Sequence, residues 1–361
     1  MDFGLSQDQV MLKETVRRYL AERCPTTRVR QIMESESGHD ETLRDGLAEI
    51  GVAGLVVPAE YDGLGRELLD LALVAEEFGY AATPGPFFNS SLAVVALAEG
   101  GAETQKRRWL PGLGSGELIG TVAIGESEGE WEPARLKAQV EDGKLSGEKP
   151  LVPYAGLADV FIVAARDAQG GGLWLVEKGA PGIEITPLKG SDMTRRLAAV
   201  TFKNTPAEPL PDRGALVRTF DAGSILIAAD AYGGARRCLE MATSYALTRE
   251  QFGQVIGAFQ AVKHQLANMA ADLEPSLALY WYAAHAFDHI RDQCSRHASM
   301  VKAHMTDLYD RIARDSTEIH GGIGFTWEFD LHLWFRRSIF DRSFFGDSAL
   351  HRARAADLSG W

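Results

Sequence analysis

Apolar positions along the chain fall into three blocks with different periods. Up to about residue 116 they repeat at helical spacing. Leu5-Ser6-Gln7-Asp8-Gln9-Val10 has the form of a helix start, in which Ser6 caps the Gln9 amide, Gln9 reaches back, and Leu5 staples onto Val10. Met11, Val16 and Leu20 continue that stripe, and Leu43, Leu47 and Ile50 form a second one that stops at Gly51, a residue suited to a left-handed cap. Further helices are predicted over 66–80 and 91–99, between Pro- and Gly-rich joints. From about residue 117 the period shortens, and 118–124, 137–140, 160–164, 173–176, 183–186 and 198–202 read as strands bounded by Asp-Gly, Gly-Gly and Pro-Gly. Strands this closely spaced, with no helices between them, predict a small antiparallel barrel or sandwich. From about residue 221 four long helical segments, 221–249, 259–289, 295–320 and 337–357, predict an antiparallel bundle, with Pro275 kinking the second. The expected organisation is mainly α with a β insert: a helical domain over 1–116, a β domain over 117–212 and a four-helix bundle over 213–361.

Charge narrows the functional classes. Lys and Arg number 37 against 50 Asp and Glu, a formal charge of -13. Binding to nucleic acid or to an anionic membrane needs the opposite excess, so neither is expected. Cys24, Cys238 and Cys294 are far apart and form no CxxC pair, which argues against a disulfide framework or a zinc site and favours a reducing compartment. Met1-Asp2-Phe3-Gly4 does not open a leader, and no run of about 18 apolar residues follows anywhere. A cytoplasmic protein is expected.

Three motifs carry candidate chemistry. Gly125-Glu126-Ser127-Glu128-Gly129 matches a nucleophile elbow, and His320-Gly321-Gly322 superficially matches an oxyanion loop. A hydrolase elbow needs a strand-to-helix turn and an oxyanion loop upstream of it; here more strand follows Ser127 and His320 lies far downstream, so a surface loop is the better reading. Gly321-Gly322-Ile323-Gly324 follows a helix rather than a strand, which excludes a Rossmann fingerprint. It reads as a helix cap, although a double glycine also lets backbone amides approach a phosphate or a flavin. Thr248-Arg249-Glu250-Gln251-Phe252-Gly253, followed by Gly257-Ala258-Phe259-Gln260, is more informative. Arg249 alone would merely complement a helix dipole. Together these residues offer a guanidinium for a pyrophosphate, an aromatic face for a stacked ring and an amide for ring-edge hydrogen bonds.

With TREQFG, GAFQAVKHQLANM and EIHGGIGFTWE following a helical and a β region, the chain resembles the acyl-CoA dehydrogenase family along essentially its whole length. The resemblance implies FAD lying between subunits, with the C-terminal domain of one chain gripping the adenosine pyrophosphate of its mate's flavin. It assigns Arg249, Gln251, Phe252 and Gln260 to that grip, and Glu318, Gly321, Gly322 and Gly324 to the adenine side. Glu318 stands where the family usually has glutamine, keeping an acceptor but losing an NH2 donor.

The catalytic half departs further. The family removes an α-proton from the thioester with a carboxylate while the β-hydrogen leaves as hydride to the flavin. The usual base position matches Phe345, in Phe344-Phe345-Gly346-Asp347, and the alternative position matches Gly223; neither accepts a proton. Asp221 and Asp347 are the nearest carboxylates, each two residues out of place, and Asp221 should point roughly 160 degrees away on its helix. The family's TEPxxGSD flavin loop becomes residues 125–130, whose extra carboxylates are expected to crowd an anionic cofactor. Its MWITNG segment becomes Pro150-Leu151-Val152-Pro153-Tyr154-Ala155, losing a tryptophan, a hydroxyl and, at Pro153, a backbone donor.

The resemblance therefore implies a subunit of a heteromeric acyl-CoA dehydrogenase, inactive alone, that completes the FAD site of a partner chain carrying the catalytic glutamate. Such paired chains act on steroid side chains or other bulky acyl-CoA substrates, with an electron-transfer flavoprotein downstream. A stand-alone flavin monooxygenase or oxidase and a silent acyl-CoA-binding scaffold are the alternatives.

Overall fold

The computed structural model describes residues 4–361, apart from the Glu128 side chain, so Met1–Phe3 of the leader-free reading lie outside the described residues. Six helices come first: α1 (Gln7–Arg23), α2 (Thr26–Glu34), α3 (Glu41–Glu49), α4 (Leu68–Tyr80), α5 (Phe87–Gly100) and α6 (Glu103–Gly114). At the start of α1 the Gln9 amide donates to Ser6 Oγ at 3.2 Å and the Ser6 amide to Gln9 Oε1 at 3.0 Å, the reciprocal cap its sequence predicts. The buried stripe is Leu12, Val16 and Leu20, one residue round from the expected Met11, which faces solvent together with Val10. Gly51 closes the α3 turn at φ +85°. The helices α2 and α6 were not expected; α6 contains Pro111, and its Gly-rich end reads as loop.

Eight strands follow: β1 (Gly120–Ala123), β2 (Gln139–Glu141), β3 (Lys144–Pro153), β4 (Val160–Asp167), β5 (Gly170–Glu177), β6 (Ile183–Leu188), β7 (Leu197–Pro206) and β8 (Glu208–Pro209). They form one sheet in the order β6-β7-β3-β2-β4-β5-β8, with β1 added on β4. The sheet is not purely antiparallel as expected, because β1 runs parallel to β4, from Gly120 opposite Val160 to Ala123 opposite Val163. Strand β4 is buried on both faces: Phe161, Val163 and Ala165 join a core made of the sheet's own side chains, while Val160, Ile162 and Ala164 join the core shared with the helices. Its apolar run is continuous for that reason.

The last block contains α7 (Ala215–Thr248), a short ribbon of β9 (Glu250–Gln251) and β10 (Gln254–Val255), then α8 (Gln260–Leu273), α9 (Leu277–His289), α10 (Arg291–His320), α11 (Leu331–Ser343) and α12 (Ser348–Leu358). Pro275 lies in the Glu274–Ser276 turn that separates α8 from α9. The expected fourth helix is two helices, broken at 344–347, where Phe345 (φ +61°) and Gly346 (φ +93°) turn the backbone left-handed. No helix among the described residues is long and apolar enough to cross a membrane. All three cysteines are free and buried, and burial raises each thiol pKa, which disfavours the thiolate.

Candidate functional site

The candidate residues occupy two places of opposite character. The first is a sealed aromatic box. Phe345 enters it from the α11–α12 turn and is 1% exposed, stacked between Phe220 (5.7 Å) and Trp131 (5.4 Å), with Phe88 edge-on at 6.1 Å. Gly223, on α7, faces the same ring: a methyl group built there would lie 2.8 Å from Phe345 Cζ and closer still to Cε1. The two base positions noted in the sequence are therefore neighbours, one filled by a phenyl group and the other emptied to make room for it.

Polar groups behind the box hold the turn in place. His351 Nε2 donates to the Phe345 carbonyl at 2.8 Å, and its ring stacks on Phe220 at 5.6 Å. Burial, with Lys302 adding to it, pushes the His351 pKa down to about 3, so the imidazole is neutral. Buried Lys302 donates to the Gly346 carbonyl at 2.8 Å, and burial pulls its pKa down to about 7. The displaced carboxylates are committed elsewhere. Asp221 is buried, accepts from Arg354 at 2.7 Å and from the Ser295 hydroxyl. Asp347 caps α12 by accepting the Leu350 amide at 2.9 Å.

The loop 125–130 overturns one expectation. Glu126 does not add charge at the surface: it is buried, 2.8 Å from Lys149 Nζ, and it accepts the backbone amides of Lys137 and Ala138. Burial alone would raise its pKa, but the ammonium and the two amides outweigh it and hold the carboxylate below its ordinary value. Ser127 is exposed on a short 3₁₀ turn, Ser127–Gly129, not on a strand-to-helix elbow. In the segment 150–155, Tyr154 turns its hydroxyl inward, accepting the Gly85 amide at 2.7 Å and donating to the Thr194 carbonyl at 2.9 Å. Between this unit and α11 lies a cleft of about 460 Å³, walled by Trp131, Leu151, Leu197, Phe340 and Phe344.

The second place is open. Arg249 ends α7 with its amide on the Tyr245 carbonyl at 2.8 Å, and its exposed guanidinium makes no hydrogen bond or ion pair among the described residues. Phe252 (φ +54°) and Gly253 (φ +79°) form the tip of the β9–β10 ribbon, a turn with both central residues left-handed. Phe252 is 92% exposed and touches Phe259 edge-on at 6.2 Å. Gln251 donates its amide to the neighbouring Glu250 carbonyl, and Gln260 opens α8 facing solvent.

Glu318 is exposed in the last turn of α10. Gly321 (φ +63°) and Gly322 meet nothing within 4 Å of an added Cβ, whereas Gly324 is packed against Thr317. Stacking of Tyr245 on His320 at 4.5 Å ties the end of α7 to the end of α10, so both sequence motifs meet at one end of the molecule. Sequence reasoning missed the box residues Phe88, Trp131, Phe220, Lys302 and His351. It treated positions 223 and 345 as separate losses, although a small residue in one and a bulky residue in the other is the signature of a contact.

Residues 6–117 match the acyl-CoA dehydrogenase N-terminal domain and residues 213–358 the acyl-CoA dehydrogenase C-terminal domain. The chain is 33% identical over 334 residues to acyl-CoA dehydrogenase IpdE2 of Mycobacterium tuberculosis, covering 92% of this chain and 91% of that protein. A variant of the Tcur3481–Tcur3483 steroid ACAD superposes with a TM-score of 0.92 at 29% identity, covering 98% of both chains. The ChsE4–ChsE5 complex from M. tuberculosis shares the fold at a TM-score of 0.92 and 24% identity, over 100% of this chain and 99% of that one. From its helical first block to the glycine turn after α10, this chain belongs to the acyl-CoA dehydrogenase family.

Proposed function

We propose that this chain is the base-less subunit of a heteromeric, FAD-dependent acyl-CoA dehydrogenase, and that it supplies the adenosine-pyrophosphate half of a partner's flavin site. The observation that carries the reading is the Phe345 ring seated in the space that Gly223 leaves. α,β-Dehydrogenation of a thioester needs a group that takes the α-proton, and the box offers none. Asp221 and Asp347 are held by Arg354 and by the α12 amide. A bound flavin supplies the hydride acceptor for this chemistry.

The two ends of a flavin fit this chain differently. At the open end, unpaired Arg249 suits a pyrophosphate, and the uncovered backbone at Gly321 and Gly322 leaves room for close approach of an adenosine. At the cleft beside Trp131 the walls are mainly apolar, with Asp192 and Asp347 adding carboxylates, and in the neighbouring segments Glu126 and the Tyr154 hydroxyl are turned inward and satisfied. We therefore assign Arg249, Gln251, Phe252, Gln260, Glu318, Gly321, Gly322 and Gly324 to a partner's cofactor and no catalytic role to this chain's own box. Leu247, Phe252, Ile323 and Phe325, exposed around the same end, are the apolar material for that contact.

The partner carries the catalytic glutamate. The relatives named as a steroid ACAD and as a ChsE4–ChsE5 complex support a paired assembly and a bulky acyl-CoA, and a structural neighbour named as an electron transferring flavoprotein of Acidaminococcus fermentans supports such a protein as the electron acceptor. Domain limits of 1–116, 117–212 and 213–361 accompany this reading. Co-expression with a family member that keeps the glutamate tests it. The complex is expected to carry flavin and to turn over, the lone chain to do neither, and Arg249→Ala to weaken flavin retention by about 10- to 150-fold without loss of assembly. A lone chain that reduces a dye acceptor with acyl-CoA at about 1 s⁻¹ overturns it.

A further inference from the structure

We propose a divalent transition-metal site formed by His285, His289 and Glu67, where the first helical block meets the last. His285 and His289 lie one turn apart on α9, with ring centroids 4.4 Å apart and planes inclined by 28°. Glu67 directly precedes α4, and its Oε1 lies 2.9 Å from His289 Nε2. One ligand atom from each of the three side chains lies within 4.8 Å of the other two. An ion with bonds of about 2.0–2.1 Å in tetrahedral geometry needs its ligand atoms roughly 3.4 Å apart. The Glu67–His289 pair is already within that spacing, and the exposed His285 side chain offers a ligand atom within 4.8 Å of both.

The scaffold holding these ligands is fixed independently of them. The Glu67 amide donates to Asp70 Oδ2 at 3.0 Å, and Asp288 accepts the Leu68 amide at 2.9 Å, which pins α9 against the first turn of α4. Phe287, between the two histidines, is buried under the Arg218 guanidinium, 3.5 Å from its centroid, and sets which face of α9 looks outward. Two imidazoles and one carboxylate select Zn²⁺, Ni²⁺ or Cu²⁺ over Mg²⁺ and Ca²⁺, which prefer all-oxygen sites. The remaining coordination positions face solvent, so the ion acts as a clip between the two blocks, and because it binds the folded chain it stabilises that form by mass action.

Zinc chloride titrated into the EDTA-treated, dialysed full chain tests the site, read by calorimetry and by thermal unfolding. One ion is expected to bind per chain, with a Tm that rises with the logarithm of free zinc and does not respond to magnesium chloride. His285→Ala is expected to lower zinc affinity by about tenfold or more while leaving the metal-free Tm unchanged. That variant keeps the Glu67–His289 hydrogen bond and so separates chelation from simple pairing. Absence of saturable zinc binding, equal affinity in His285→Ala, or an equal shift with magnesium overturns the proposal.

Discussion

The aromatic box around Phe345 and the ribbon tip at Phe252 both place a phenylalanine in a left-handed backbone conformation, and there the likeness ends. Phe345 is 1% exposed and touches four other aromatic rings; Phe252 is 92% exposed and touches one. A strained backbone persists only where surroundings hold it. Inside the box the surroundings are visible: His351 and Lys302 grip the carbonyls of Phe345 and Gly346 while the rings enclose the side chain. At the tip, among the described residues, the β9–β10 pairing and the edge contact with Phe259 are what hold the turn, and the ring stays exposed. The box is completed from within, whereas the tip leaves its ring open to solvent.

Truncation should separate the two. Phe345→Ala is expected to cost about 3–5 kcal/mol of stability in urea unfolding, the range for emptying a packed aromatic site. Gly223→Ala overpacks the same contact and should cost about 1–3 kcal/mol. Adding Phe345→Leu to Gly223→Ala should recover part of that loss, and strict additivity of the two would show that the contact is not direct. At the other place, Phe252→Gly is expected to leave the isolated chain as stable or to raise its stability by up to about 1 kcal/mol, because glycine adopts a positive φ without cost. The same change should weaken association with the partner.

Acid should act on the box through His351, the histidine whose pKa burial depresses most, while burial also lowers that of His320 at the open end. The unfolded chain takes up a proton at His351 near 6.5, whereas the folded chain refuses it until about 3. The folded state therefore loses stability progressively as pH falls from 6.5 toward 3. Replacing His351 with Gln, which keeps a donor for the Phe345 carbonyl, is expected to flatten that part of a urea-midpoint profile against pH. An unchanged slope would mean that the imidazole is not held neutral.

What the sequence made legible follows the same division. The end of α7 at Arg249 and the glycine cap at Gly321 were readable because they depend on local sequence signals. The cap of α1 and the break at Pro275 were readable for the same reason. Residues whose meaning depends on partners far along the chain were not. Glu126 looked like loose charge because Lys149, its partner, lies 23 positions away on the neighbouring strand. The parallel pairing of β1 with β4 left no local trace, and the break between α11 and α12 was hidden by an apolar pattern that runs through 344–345 without interruption.

The interlock of Gly223 with Phe345 also restricts which substitutions either position can accept. A carboxylate placed at 345 alone would be enclosed by Phe220, Trp131 and Phe88, and one placed at 223 alone would be driven into the phenyl ring. Either change alone is expected to give a less stable protein. The two positions are therefore coupled, and a substitution at either is expected to be tolerated best when the other changes with it.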